Sequence, residues 1–320
     1  MRLIIDTDTA GDDAFSILLA LKTPGVTLEA ITICNGNVDF EQQTENALYT
    51  LEIAGHAGEV PVYKGCPLPL LRKPVDSTEF FGVDGMSDAG FPRARQRPEA
   101  THAVDAIIDL VMSNPGEIDI LAQAPLTNIA TAYAKEPRIV EAVRHLWIMG
   151  GTDNALGNTT PASEFNFYVD PEAAKMVINA GFRATLSTWT LTMKSGVLPP
   201  AALARIEAMD TPLARFFMRV SQAPFARTAV RYGRPLSTHP DSLTCACAID
   251  EGLILEAADC LVDVETGSEL TRAYSSVCVP LTAEEAEVDK LWPAGRPNCR
   301  VVRTADTDRF AEMLIAALAG

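Results

Sequence analysis

Short, unbroken apolar runs alternate with longer stretches of helical period along most of this chain. Residues 3–5 lead into a helical pattern from about Asp12, and residues 28–34 into another over 40–56. Residues 60–63 read as a strand, a helix near 100–112 precedes a strand at 118–122, and 127–134 reads as helical. Residues 146–149, 171–180 and 184–188 continue as strand, helix and strand. Apolar runs without polar alternation mark strands covered on both faces. The order predicts an α/β fold, a single domain over residues 1–320 with a mostly parallel, Rossmann-like doubly wound central sheet and helices on both faces. From about Leu253, β-like pieces at 260–265, 273–279 and 299–302 add C-terminal strands before a closing helix near 307–318. Two segments break the rhythm. Residues 65–98 carry five prolines, and 224–240 are rich in Arg and Pro, so both are expected to be irregular lids.

The first apolar run stops on Asp6-Thr7-Asp8-Thr9-Ala10-Gly11-Asp12-Asp13. Carboxylates this close repel, and each tends to protonate unless a cation holds it ionised. The cluster falls where ligands gather in such folds, beyond the carboxyl end of a strand and before a helix N-terminus. A hard-metal site is expected there; the blander reading is a solvated turn with Asp12 as helix cap. Other strand ends repeat the pattern, at Asn35-Gly36-Asn37, at Ala124-Pro125-Leu126-Thr127-Asn128, and at Gly150-Gly151 after Met149. In a parallel sheet these ends share one edge, so Asp8, Asn37, Thr127 and Met149 should approach one another. Within 157–174, Asn158, Glu164 and Asn166 flank Phe165, a set of donors and acceptors suited to a polyhydroxylated ligand such as a sugar. Asp170-Pro171 reads as a helix start with Pro in the first position. Ser237-Thr238-His239-Pro240-Asp241-Ser242 follows the second irregular segment.

Composition narrows the partners. Hydrophobic residues make up 48% of the chain, enough for a large core, and the net charge of −16 argues against nucleic acid or an anionic membrane. The seven cysteines lack zinc spacing and read as buried thiols of a reducing compartment. No secretory n-region precedes the first strand, and no apolar run has the length of a membrane span, so a cytoplasmic protein is expected.

Taken together, the acid cluster, Gly36-Asn37, residues 125–130, Ile148-Met149-Gly150-Gly151 and the 157–174 block resemble the inosine-uridine preferring nucleoside hydrolase family. The resemblance implies hydrolysis of the N-glycosidic bond of ribonucleosides to ribose and free base, with one calcium ion. Carried over by motif, Asp8, Asp13, the carbonyl of Thr127 and Asp241 would bind Ca2+, with Asp8 also acting as general base on the attacking water. Asp12, Asn37, Asn158, Glu164 and Asn166 would surround the ribose, with Met149 and Phe165 packed beside it. A homodimer or homotetramer is implied.

Two departures lie on the base side. Pro240 occupies the slot where the family has a His that protonates the leaving base. His239, one residue earlier, is the candidate acid; the alternative is a solvent-facing or structural His. Phe81 stands where the family often has a His, and an apolar ring there suits stacking on a base. Arg227, Arg231, Tyr232 and Arg234 are further candidates for contact with the leaving group. Two rivals remain at this level: a non-catalytic, calcium-dependent nucleoside or ribose binder, and a haloacid-dehalogenase-type phosphatase. The second expects Thr or Val where Ala10 stands.

Overall fold

In the computed structural model, which describes residues 1–320, the apolar runs form one nine-stranded sheet. The strands are β1 (Arg2–Thr7), β2 (Thr27–Ile33), β3 (Val62–Lys64), β4 (Ile118–Ala122), β5 (His145–Met149), β6 (Ala184–Ser187), β7 (Ile254–Val264), β8 (Ser275–Cys278) and β9 (Cys299–Ala305). Their order is β3-β2-β1-β4-β5-β6-β9-β7-β8. All neighbours from β3 to β9 pair in parallel, while β7 runs antiparallel to both β9 and β8. The doubly wound sheet and the added C-terminal strands are as the sequence pattern predicts.

Alternation along β1 shows why its run is apolar throughout. Leu3 and Ile5 enter the core layer built with helices Asp12–Lys22, Phe40–Ala54, Pro240–Ile249 and Thr307–Leu318. Ile4 enters the opposite layer with helices Ala103–Ser113, Thr127–Lys135 and Pro171–Ile178. Successive strand side chains point to opposite faces, so a strand covered on both sides must be apolar at every position. The strand order reverses between β1 and β4, and the loops leaving these strands therefore part. That divergence opens a crevice at their carboxyl ends.

The first irregular segment keeps its expected character, with a single helical turn at Thr78–Phe81. The second differs. Residues 222–232 form the helix Gln222–Tyr232, ended by Gly233 at φ 72°, and only the remainder up to His239 is irregular. Pro224 reads as a breaker in sequence, but it occupies the first helical turn, where its missing N–H has no partner to lose. The Arg residues form an exposed face, since Thr228 is the helix's one buried residue. All seven cysteines are free thiols, and no helix is long and apolar enough to cross a membrane.

Candidate active site

The acid cluster turns the chain from the end of β1 into helix Asp12–Lys22, and its members face different neighbours. Asp8 is wholly buried, with Oδ2 accepting from the Asn37 backbone N–H at 2.9 Å and Oδ1 left without any partner. Gly36 makes this approach possible, because a Cβ there would overlap the Asp8 carboxyl group. Asp13 accepts from Thr7 Oγ1 at 2.7 Å, Gln123 Nε2 at 3.1 Å, the Ala10 N–H at 3.2 Å and Asn37 Nδ2 at 3.3 Å. Asp6 points elsewhere, to Thr32 Oγ1 within β2 and Asn128 Nδ2 in the first turn of the helix after β4.

Asp12 does something the sequence gives no hint of. Its carboxylate caps helix Pro240–Ile249 from across the chain, accepting from the N–H groups of Asp241 (2.7 Å) and Ser242 (3.1 Å) and from Ser242 Oγ (2.5 Å). His239 Nδ1 adds a fourth contact at 2.7 Å. The expected ribose contact thus has both oxygens engaged by protein donors. His239 itself is not a free imidazole. Its Nε2 meets Ser237 Oγ at 2.7 Å, it is 2% exposed, and its ring stacks on Phe217 and packs against Phe15 and Phe310. Pro240 begins the helix, and the residue before it turns back toward Asp12 rather than out toward a base. Of the two sequence alternatives for His239, the structural one fits this geometry.

Asp241 is buried at the start of the same helix, with no hydrogen bond to its carboxylate. Burial, then the charges of Asp13, Asp12, Asp8 and Glu164, push its carboxyl well above the usual range. Burial and Asp13 do the same to Asp8, and burial lifts Asp13 to about 7. No three acidic, His or Cys side chains converge as a closed ligand cluster. Even so, Asp8 carries an unpartnered buried carboxylate oxygen, the Asp241 carboxylate has no protein donor, and both repel Asp13, penalties that a cation relieves. Thr127 opens helix Thr127–Lys135 after β4. Its Oγ1 donates to Asp170 at 2.7 Å, and Asp170 also caps helix Pro171–Ile178, with Pro171 in the first turn as the sequence indicates.

Above these acids lies a cavity of about 290 Å³. Asp12, Asn37, Phe81, Met149, Asn158, Glu164, Phe165, Asn166, His239 and Asp241 line it, whereas Asp8, Asp13 and Thr127 lie outside the lining. Glu164 caps helix Phe165–Val169, accepting from the N–H groups of Asn166 and Phe167, and also takes the Gly151 N–H at 2.8 Å. Burial raises its carboxyl to about 7. Asn166 Nδ2 spans the carbonyls of Gln123 and Met149, each at 3.2 Å, tying the ends of β4 and β5 together. Asn158 Oδ1 takes the Phe165 N–H at 2.9 Å. Phe81 packs directly on Gly11, whose φ of 51° and missing Cβ both make room.

Both segments that interrupt the alternation line the cavity and touch each other through helices Thr78–Phe81 and Gln222–Tyr232. Arg231 bonds the carbonyls of Asn158 and Gly157, fastening the second helix to the 157–166 loop. Arg227 and Arg234 are exposed and do not line the cavity. Sequence reasoning missed Gln123, which holds Asp13 and lines the cavity, and Trp189 at the end of β6. Their signal was positional, since each stands just beyond a parallel strand at the same edge.

The family model for inosine-uridine preferring nucleoside hydrolases matches residues 3–312. The chain is 37% identical to the inosine-uridine preferring nucleoside hydrolase of Crithidia fasciculata, covering 91% of this chain and 95% of that one. It is 32% identical to the pyrimidine-specific ribonucleoside hydrolase RihB of Escherichia coli, over 97% and 94% of the two chains. A plant nucleoside hydrolase structure, PpNRh1, superposes with a TM-score of 0.90 at 29% identity, covering 100% of this chain and 99% of that one. The protein is thus a hydrolase acting on ribonucleosides, and it belongs to the inosine-uridine preferring nucleoside hydrolase family.

Proposed function

We propose that this hydrolase cleaves the N-glycosidic bond with Asp8 as general base and with a calcium ion held by Asp8, Asp13, Asp241 and the backbone carbonyl of Thr127. The observation that carries the proposal is the buried, unpartnered Oδ1 of Asp8 in the same charge cluster as the unpartnered carboxylate of Asp241. An oxygen-only donor set suits calcium better than softer ions. When bound, the cation stabilises the ionised carboxylates and makes nearby water easier to deprotonate.

The chain's own groups have separable tasks. Asn37 holds one oxygen of Asp8, so the other is fixed in direction to take a proton from the attacking water. Glu164, Asn158 and Asn166, each fastened by backbone bonds, present remaining lone pairs and N–H groups to the ribose hydroxyls. A hydroxyl missing from the sugar then leaves buried polar groups unpaired, which gives selectivity for ribose. Met149 and Phe165 pack beside the sugar, and Phe81 stacks on the base. The nearby carboxylates favour the positive charge that develops on an oxocarbenium-like ribosyl group. Asp12 and His239 act one layer out, holding the Asp241 helix against the acid cluster. The 65–98 segment and helix Gln222–Tyr232 serve as lids that keep water from the reacting centre. The relatives' names disagree on base preference, so none is carried over from them.

The test is ribose release from a panel of neutral and cationic ribonucleosides, with calcium and after chelation. Chelation is expected to stop turnover, and Asp8→Asn to lower it by about 10²- to 10⁴-fold, the range of general-base catalysis, with the fold intact. Undiminished activity in Asp8→Asn refutes the assignment of the base. Binding of nucleosides without ribose release from any of them would instead support the non-catalytic binder.

A further inference from the structure

Building on the hydrolase reading above, we propose that the base subsite is made for cationic N-ribosides of pyridinium type, whose heterocycle leaves neutral and needs no proton. A neutral purine or pyrimidine departs with the glycosidic electron pair as an anion unless a donor protonates it. In this cavity the histidine donors that the resemblance implies are missing, and the one phenol of the wall, that of Tyr232, stands at its exposed side beneath the Arg231 guanidinium. The one imidazole has both ring nitrogens bonded to Asp12 and Ser237 and is stacked on Phe217. Pro240 and Phe81 carry no proton at all. Ser77 and Thr228 line the same wall, but their hydroxyls donate to backbone and side-chain oxygens of the protein.

What remains on this wall suits a flat cation. Phe80, Phe81, Phe225 and Tyr232 line the cavity, with Phe80 and Phe81 edge to face at 4.8 Å between centroids. An aromatic face attracts a heteroaromatic cation through its quadrupole. The carboxylates of Asp76 and Glu79 stand at the exposed side of the same wall. Arg231 is the lone cationic side chain of the lining, and its guanidinium is drawn onto the carbonyls of Gly157 and Asn158 and over the ring of Tyr232. The chain's net charge of −16 further concentrates cations at the cleft.

The reaction balances without an acid. The C1′–N bond breaks, and its electron pair goes to the ring nitrogen, cancelling that atom's positive charge. Water oxygen bonds to C1′, and one water proton passes to Asp8 and then to solvent. Riboside cation and water become ribose, neutral heterocycle and a proton.

The test uses the calcium-loaded enzyme and four probes: 3-carbamoylpyridinium riboside, uridine, inosine, and inosine methylated at N7, which adds charge at nearly constant shape. Rates are read as kcat/KM divided by the uncatalysed rate of each probe, so that the intrinsic lability of cations does not count. The cationic members are expected to exceed their neutral counterparts by roughly 100-fold, the lower end of what a leaving-group acid contributes. Neutral ribosides processed within about threefold of the cations on this scale would show that a donor is present, and would overturn the inference while leaving the hydrolase reading intact. Release of ribose from none of the four overturns both.

Discussion

Replacing Asp12 by Ala removes the acceptor for four buried donors at once, all at the start of helix Pro240–Ile249. Helix Pro240–Ile249 loses its only side-chain cap, since His239 at its N-cap position bonds none of the helix's N–H groups. Loss of a cap costs about 1 kcal/mol, and each hydrogen bond to a charged acceptor contributes about 1.5–3 kcal/mol. The four contacts share one carboxylate and do not add, so a destabilisation of about 3–5 kcal/mol is expected. At roughly 2–4 °C per kcal/mol for a large domain, Tm should fall by about 6–15 °C. Asp12→Asn keeps one acceptor oxygen and should fall about half as far. Thermal unfolding of both variants, with chelator present, measures this directly. A double-mutant cycle of Asp12→Ala with Ser242→Ala isolates the brace, and a coupling of about 1 kcal/mol is expected. A Tm within about 2 °C of the parent, together with an additive cycle, would refute the reasoning. The carboxylate would then be free in solution and available to the ribose.

The remaining predictions follow from single contacts. Gly36→Ala drives a methyl group into the Asp8 carboxyl, and turnover should fall by more than about 100-fold with the sheet intact by circular dichroism; near-normal kcat would show that Asp8 moves aside without harm. Burial raises Asp6 and Glu164 to about 7 each, so in the metal-free protein both add stability below the unfolded carboxylate range and lose it as pH rises through about 7. Melting in chelator should therefore be higher at pH 5 than at pH 8, and a flat or opposite profile would count against protonated buried acids. Arg231→Ala unfastens helix Gln222–Tyr232 from the 157–166 loop, and amide exchange in both segments should quicken while that of β1 stays slow.

How legible the molecule was depends on what each residue's neighbours in sequence reveal. The strands of the parallel sheet and the acid cluster were legible because burial on two faces and clustered like charge leave direct traces in composition. Asn37 was singled out by its place at the sheet edge, and Glu164 and Asn166 by the donors and acceptors of the 157–174 block; all three line the cavity. Helix Gln222–Tyr232 was not, because Pro224 and the arginines mimic a loop until the register of the first turn is known. The tasks of Asp12 and His239 were hidden for another reason. A carboxylate that caps a helix more than 200 residues away looks, in sequence, like any acid in a cluster. Phe81 was expected to stack on a base and does line the cavity, yet its seat on Gly11 rests on a glycine φ of 51° that no local pattern announces.

The Asp12 clasp also sets a timetable for biosynthesis. Its backbone donors lie 229 and 230 residues downstream, so Asp12 leaves the ribosome long before the groups it caps exist. At about 5–20 residues per second, that interval is roughly 10–50 s. For all of it the N-terminal strand must either stay unfolded or hold its carboxylates in water. The crevice at the heart of the enzyme is therefore among the last regions able to close, and under the proposed assignment the nascent chain has no complete cation site until the helix bearing Asp241 has arrived.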